Sequence, residues 1–463
     1  MSFSAMDLKN MTSIINKTPA LFAALLLSAC GGSDDSSSGT GYIQFYNASA
    51  NAPKVFLEID DAVRTGANFG NVTTRHSYNN ENYELDYQYL NDNNDYVSVF
   101  DNTEVLTIEN DEKTLKVLSG DFSNPQIHSF QIPEFDEEDE FKIGIINTIS
   151  DSTEYDVYVA KEGYDFVDAE LVQSTNYLAL NDLETVKEDS YHFYVTEQGS
   201  QTPVFQSELV HFDDQQSYVT MIRKSYSANS NEITLDIVSD NSSVHSLSHV
   251  NALSQLRFYN AIDTYEQVKF IATSTQNDVE TDLTDNDTLT NYHSVNAGNF
   301  SISMYDINET PLLTNYLEAI GQSRSLLNIV YQHKSGYPAM ISIDEELSPN
   351  QVSHQVQIVN LIDSSPYNND INEVSIYFTE GSETIEETTT YLKDIDNYDS
   401  KALSLDSQSY DVTVTYEVND QVISLLQLAD MEFTQTGNYI LILEQDATTA
   451  SGYKITKINT LAP

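Results

Sequence analysis

The phrase YIQFYNASAN at residues 42–51 returns in altered form as FKIGIINTIS at 141–150, SQLRFYNAID at 254–263 and HQVQIVNLID at 354–363. Aligned on Asn47, Asn147, Asn260 and Asn360, the copies stand 100, 113 and 100 residues apart. Before each Asn, apolar residues alternate with others: Ile43 and Phe45, Ile143 and Ile145, Leu256 and Phe258, Val356 and Ile358, around Gln44, Gly144, Arg257 and Gln357. A period of two is the mark of a strand with one face in a core. Asn then ends it, because its short amide bonds nearby backbone and tolerates turn geometry.

A second strand follows in each copy, at Val55–Ile59, Tyr155–Val159, Val268–Ile271 and Val374–Phe378. In the fourth copy it starts later, after what reads as a loop insertion at Ser364–Asp370. The first copy continues through Tyr83–Leu90, Tyr96–Phe100, Val105–Glu109, Thr114–Leu118 and Ile127–Ile132, and the fourth through Tyr410–Tyr416, Val422–Leu428 and Tyr439–Glu444. About seven short strands in roughly 100 residues predict an immunoglobulin-like sandwich. No helical periodicity stands out. The expected fold is therefore all-β: four tandem immunoglobulin-like antiparallel β-sandwich domains, at 41–140, 141–253, 254–353 and 354–463.

The amino terminus reads as an address. Lys9 and Lys17 precede the apolar run Ala20–Leu27, then Ser28-Ala29-Cys30. A basic start, a short apolar core and small residues before a cut describe a secretory signal peptide, here residues 1–29. The run is too short to cross a bilayer, which takes about 20 residues. Met11 is an alternative start to Met1. Residues 30–40, rich in Gly, Ser and Asp, form a flexible tether. Cys30 is the chain's one cysteine, so no intrachain disulfide can form.

Leu27-Ser28-Ala29-Cys30 resembles the lipobox of bacterial lipoproteins. That resemblance implies lipidation of Cys30 with diacylglycerol, cleavage before it, and a further palmitate-type acyl chain on the new amino terminus. Gly31, in place of Asp, implies sorting to the outer membrane, with periplasmic or extracellular exposure left open. Several acyl chains give firm anchoring, at about 0.8 kcal/mol per buried methylene. The opening YIQFYNASANAPKVFLEID resembles the start of the DUF4397 domain, an uncharacterised bacterial β-sandwich family. The third copy matches in part, through Phe258-Tyr259-Asn260-Ala261 and Gly298-Asn299-Phe300-Ser301-Ile302. The resemblance implies an exported, surface-associated module and carries no catalytic residues.

With 72 acidic and 20 basic residues, the chain has a net charge of −52. Such a surface repels nucleic acid and anionic headgroups and reads as a solvated coat. No Gly-x-Ser-x-Gly nucleophile elbow or phosphate-binding loop is present. His245 and His249 lack a third ligand nearby and read as surface residues rather than zinc ligands. The acidic loops at 91–95 and 282–287 read first as turns. Asp92, Asp95, Asp282, Asp285 and Asp287 are the candidate calcium ligands, although neither loop has EF-hand spacing. No other cofactor is expected. Glu134–Glu140 reads as a self-repelling, extended spacer. Distant acids could still converge as a glycosidase pair. The leading expectation is a non-enzymatic, lipid-anchored surface protein that recognises a protein or polysaccharide partner. The alternatives are an envelope enzyme with a composite site between modules, and a passive spacer.

Overall fold

In the computed structural model, which describes residues 39–461 apart from 92–93, 153, 229–231, 240–242 and 365–369, each phrase forms the first strand of a plan with eight shared positions. The fourth copy shows the plan without interruption: Ser353–Asn360, Glu373–Thr379, Tyr391–Asp396, Ser400–Asp406, Ser409–Val418, Gln421–Glu432, Tyr439–Gln445 and Tyr453–Asn459. One sheet runs in the order fourth, first, seventh, eighth, and the facing sheet third, second, fifth, sixth. The first and seventh strands are parallel, Val356 opposite Tyr439, and the other neighbours are antiparallel. Thr40–Asn47, Glu140–Asn147 and Ser254–Ala261 repeat that parallel pairing with Glu112–Ser119, Ser217–Lys224 and Ser325–Gln332. The protein is thus all-β, built as repeated sandwiches, and among the described residues its helical content is one 3-10 turn at Phe166–Asp168.

Two details differ from the alternation read in the sequence. Each copy has eight strand positions rather than about seven, and the second adds a ninth, Val244–Leu247, beside its eighth. In the first, Ala62–Ala67 and the short strands Asn71–Val72 and His76–Asn79 carry too little apolar character to register a period. The immunoglobulin arrangement sets ABED against CFG. Here the first strand instead lies inside its sheet, between the fourth and seventh.

The recurring Asn has one structural job. All four are buried. The side-chain oxygen accepts the backbone N–H two residues on: Ser49 at 3.0 Å, Ile149 at 3.0 Å, Ile262 at 3.2 Å and Ile362 at 2.9 Å. The amide nitrogen donates across the sandwich to carbonyls at the end of the third strand in three copies: Ala67 from Asn47, Asp285 from Asn260, and Ile395 from Asn360. In the second copy it donates to Ser152 Oγ at 2.8 Å. Only a side chain that donates and accepts at once can tie both sheets this way, and Asp and Ser lack the paired geometry.

The backbone carbonyl of each Asn accepts an N–H from a residue in the left-handed region: Gly70 (φ 69°), Leu178 (φ 50°), Asp287 (φ 57°) and Tyr398 (φ 60°). A left-handed leucine or tyrosine is uncommon and costs free energy. All four lie where one copy meets its neighbour. A Cβ on Gly70 would lie 2.8 Å from Arg223 Nε of the second copy. Leu178 packs into an apolar cluster shared with the first copy. Asp287 pairs with Lys454 of the fourth copy at 2.5 Å, and Tyr398 stacks on Tyr331 of the third at 4.8 Å.

Those contacts belong to two face-to-face junctions. Besides the four sandwich cores, one apolar cluster joins Tyr46, Leu115, Val117 and Ile132 of the first copy to Ile146, Val219, Met221 and Val238 of the second. Another joins Tyr259, Leu327, Ile329 and Ile343 of the third to Val359, Ile440, Ile442 and Ile458 of the fourth. The sheets containing the first strands are therefore buried on both faces, unlike the one-sided strands that the alternation predicted. Gln44 and Arg257 are 0% and 1% exposed. Gln44 Nε2 donates to the Thr73 carbonyl, and Arg257 pairs with Glu345, so each has a partner within the fold. The copies come as two pairs, and the repeat is one of pairs: Asn47 to Asn260 and Asn147 to Asn360 both span 213 residues.

The acidic connector at 134–140 is held rather than free. Arg75 pairs with Glu134 at 3.3 Å, Gln215 donates to the Asp136 carbonyl, and the Asp139 N–H donates to Asp214. Its carboxylates face solvent while its backbone is fastened at both ends.

Candidate functional site

Where the pairs meet, three adjoining cavities form a polar seam. The first, about 350 Å³, is lined by Phe69, Asp151, Arg223, Lys224 and Tyr226, with Pro349 and Gln351 from the connector to the fourth copy. The second, about 470 Å³, draws Tyr226 from copy two, Arg324, Asp344, Glu345 and Glu346 from the end of copy three, and Gln355, Gln357 and Asn438 from copy four. The third, about 330 Å³, brings Lys54, Asn68 and Phe69 of copy one against Glu346, Asn350 and Gln355. Shared walls link them: Tyr226 borders the first two, Phe69 the first and third, and Glu346 with Gln355 the second and third.

The charges along the seam are largely committed to each other. Arg223 Nε donates to Asp236 at 2.5 Å, and its guanidinium lies 4.9 Å from the Phe69 ring. Phe69 in turn meets Tyr226 edge-on at 5.4 Å. Lys224 pairs with Asp151 at 2.9 Å, which holds the lysine above and the carboxyl below their ordinary ranges. Arg324 grips Asp344 through both Nε and Nη2. Arg257, buried under the Tyr292 ring at 4.3 Å, holds Glu345. Burial, reinforced by Glu345, pushes the Tyr292 phenol well above its usual value. What remains available is mostly neutral: amides, hydroxyls and the half-buried Tyr226 ring. Among the described residues lining the seam there is no histidine.

A larger groove, about 680 Å³, opens at the side of the second sandwich between Glu170–Thr175 and Glu184–Lys187. Leu171 and Tyr164 at its rim are exposed. Its floor of Val159 and Val172 continues the sandwich core, and Lys161 pairs with Asp189 at 3.0 Å.

The residues singled out in the sequence are dispersed. Cys30 and Asp92 lie outside the described residues. Asp95 closes a turn, its N–H donating to Asn91 Oδ1 at 2.9 Å. Asp285 accepts from Gln267 at 2.7 Å, Asp287 is committed to Lys454, and Asp282 is exposed. Among the described residues no three His, Cys, Asp or Glu side chains converge as a metal site. His245 lies on the edge strand Val244–Leu247, while His249 Nδ1 accepts the Asn251 N–H. Sequence reasoning missed the seam because its lining belongs to no motif. Tyr226 and Gln355 are ordinary residues until three copies bring them together.

No family model matches the sequence, and no curated protein matches it. Among solved structures, the Bacillus anthracis TIE protein is 9% identical, with 87% of this chain and 67% of that one covered at a TM-score of 0.15. BcpA, the major pilin subunit of Bacillus cereus, is 11% identical over 65% of this chain and 98% of its own, with a TM-score of 0.13. The multi-modular glycogen-degrading pneumococcal virulence factor SpuA is 9% identical over 83% of this chain and 37% of its own, with a TM-score of 0.15. These are likenesses among multi-domain β proteins, and superpositions this loose carry no argument about activity.

Proposed function

We propose that this chain is a non-enzymatic, lipid-anchored protein of the bacterial cell envelope, tethered to the outer membrane through Cys30, whose paired sandwiches recognise a partner. The resemblance of Leu27–Cys30 to a lipobox and of the opening strands to DUF4397 supports the location. The observation that carries recognition over spacing is the seam. A spacer needs copies set end to end, whereas here the first and fourth copies share a cavity wall. Two of the seam's carboxylates support binding over acid–base work, because Asp344 and Glu345 are each fastened to an arginine. Among the described residues, no helix is long and apolar enough to cross a membrane.

The test is fractionation of cells that produce the full chain or its Cys30→Ala variant, with protease shaving of intact cells. The expected result is membrane association of the first, release of the second, and loss of the anchored protein on shaving. A variant that stays with the membranes contradicts the anchor, and an anchored chain untouched by protease contradicts surface exposure.

A further inference from the structure

We infer that the second seam cavity, at the meeting of copies two, three and four, is a binding site for a neutral saccharide. The inference rests on the recognition reading above and names the class of ligand. At about 470 Å³ the cavity falls within the ~300–1,000 Å³ range of small-molecule sites.

Its chemistry excludes the commoner ligand classes in turn. An anion, whether phosphate, nucleotide or uronic acid, needs a cation with donors to spare. The guanidinium on this wall, Arg324, spends two nitrogens on Asp344, and Glu345 and Glu346 follow it in the chain. In a chain of charge −52 there is no distant basic field to compensate. A hard cation needs several oxygens free to converge, yet Asp344 and Glu345 are both bound to arginines. A purely apolar ligand would strand the amides and carboxylate that line the walls.

What fits is a neutral molecule with many hydroxyls and a flat C–H face. Gln355 offers a donor and an acceptor, Gln357 keeps its acceptor oxygen while its amide donates to Ser400 Oγ at 3.1 Å, and Glu346, one oxygen of which takes the Ser348 N–H, offers acceptors only. Gln355 is exposed, and the half-buried Tyr226 supplies an aromatic wall held in place by Phe69. Hydroxyl-rich rings satisfy such mixed walls, with the aromatic face packing against C–H groups. Because the lining comes from three copies, the site exists only when the pairs are docked.

The experiment is native electrophoresis of the full chain through gels cast with a neutral glucan, a mannan or a galactan, with anionic alginate as the contrast. We expect retardation by at least one neutral polymer and none by alginate. Gln355→Ala, at an exposed position that threatens no core, and Tyr226→Ala are each expected to weaken the retardation about tenfold, the equivalent of roughly 1.4 kcal/mol. Retardation that survives both substitutions overturns this cavity while leaving partner recognition standing. Retardation by none of the neutral polymers, or by alginate equally, also overturns it. The anchored-envelope reading fails separately, by the fractionation test.

Discussion

Tyr46 of the first sandwich donates its hydroxyl proton to Asp236 of the second at 2.6 Å, and 213 residues later Tyr259 of the third makes the same bond to Glu444 of the fourth at 2.9 Å. Each tyrosine immediately precedes the recurring Asn and points out of its own sandwich into the next copy. Copies two and four carry Ile146 and Val359 there instead, so odd and even copies are complementary halves of a pair. The duplicated unit is the pair, and the surface between its halves is a buried apolar cluster crossed by that hydrogen bond.

The two bonds differ in surroundings, and substitution should show it. Tyr46→Phe leaves Asp236 still held by Arg223 at 2.5 Å. It is expected to lose the bond alone, about 1–3 kcal/mol for a hydrogen bond to a charged group. Tyr259→Phe leaves Glu444 with Thr456 at 2.7 Å, and below about pH 7, where burial keeps that carboxyl protonated, a neutral bond of about 1 kcal/mol is at stake. Urea unfolding of both variants checks the order. Equal losses would contradict the assignment.

Glu444 also sets a pH dependence. Burial raises its carboxyl to about 7 against the ordinary 4.5, with Thr456, Lys454 and Tyr259 opposing and Asp287 assisting. Between those values the folded chain keeps a proton that the unfolded chain releases. The stability this group confers is therefore complete below about pH 4.5, falls as pH rises to 7, and is flat above. Glu444→Gln removes the titration, so its melting temperature should gain on the parent chain across that window, by the equivalent of up to about 3 kcal/mol. A difference between parent and variant that does not change with pH would refute this.

Backbone strain at the junction gives a reversal of the usual preference. Tyr398 holds φ 60° while its hydroxyl donates to Asp363 at 2.5 Å and accepts the Lys334 N–H at 3.0 Å. Truncation loses those bonds and the ring stacking whatever replaces the tyrosine. The Gly variant then escapes the left-handed cost of about 1–2 kcal/mol that Ala retains. Tyr398→Gly should thus melt above Tyr398→Ala, and Leu178→Gly above Leu178→Ala. Alanine winning at both sites would contradict the role of this position.

The Asn pin predicts that shape alone does not suffice. Asn360→Asp keeps the size of the side chain but turns the amide donor into an acceptor facing the Ile395 and Asp396 carbonyls, 3.0 and 3.3 Å away, at a fully buried site. A loss of about 3 kcal/mol or more is expected at neutral pH, partly recovered in acid as the carboxyl takes up a proton. Calorimetry at pH 4 and 7 tests it, and a loss independent of pH would count against the pin.

The architecture was legible where residues carry a strict alternation. Ile43, Phe45, Val356 and Ile358 announce strands because one face of each fills a sandwich core, whereas Tyr439–Leu443 reads as an unbroken apolar run because its two faces fill a sandwich core and a junction. Edge strands such as Tyr391–Asp396, mostly exposed, gave no such period. The pairing was hidden for a different reason. Gln44 and Arg257 look like solvent-facing residues, and only the partner copy, with contacts like Tyr46 to Asp236 across 190 residues, shows why they are buried. Asp287 illustrates the converse: an acid that invites a calcium reading in a loop of acids is one half of an inter-copy ion pair.

The claim that copies exist as welded pairs is tested most directly by unfolding two fragments in urea, residues 39–253 and residues 39–140. The longer should unfold in one cooperative step as a soluble monomer. The shorter, which bares Tyr46, Leu115, Val117 and Ile132, should self-associate or lack a folded baseline. A lone first copy that stays monomeric and unfolds at the same urea concentration as the pair would contradict the account.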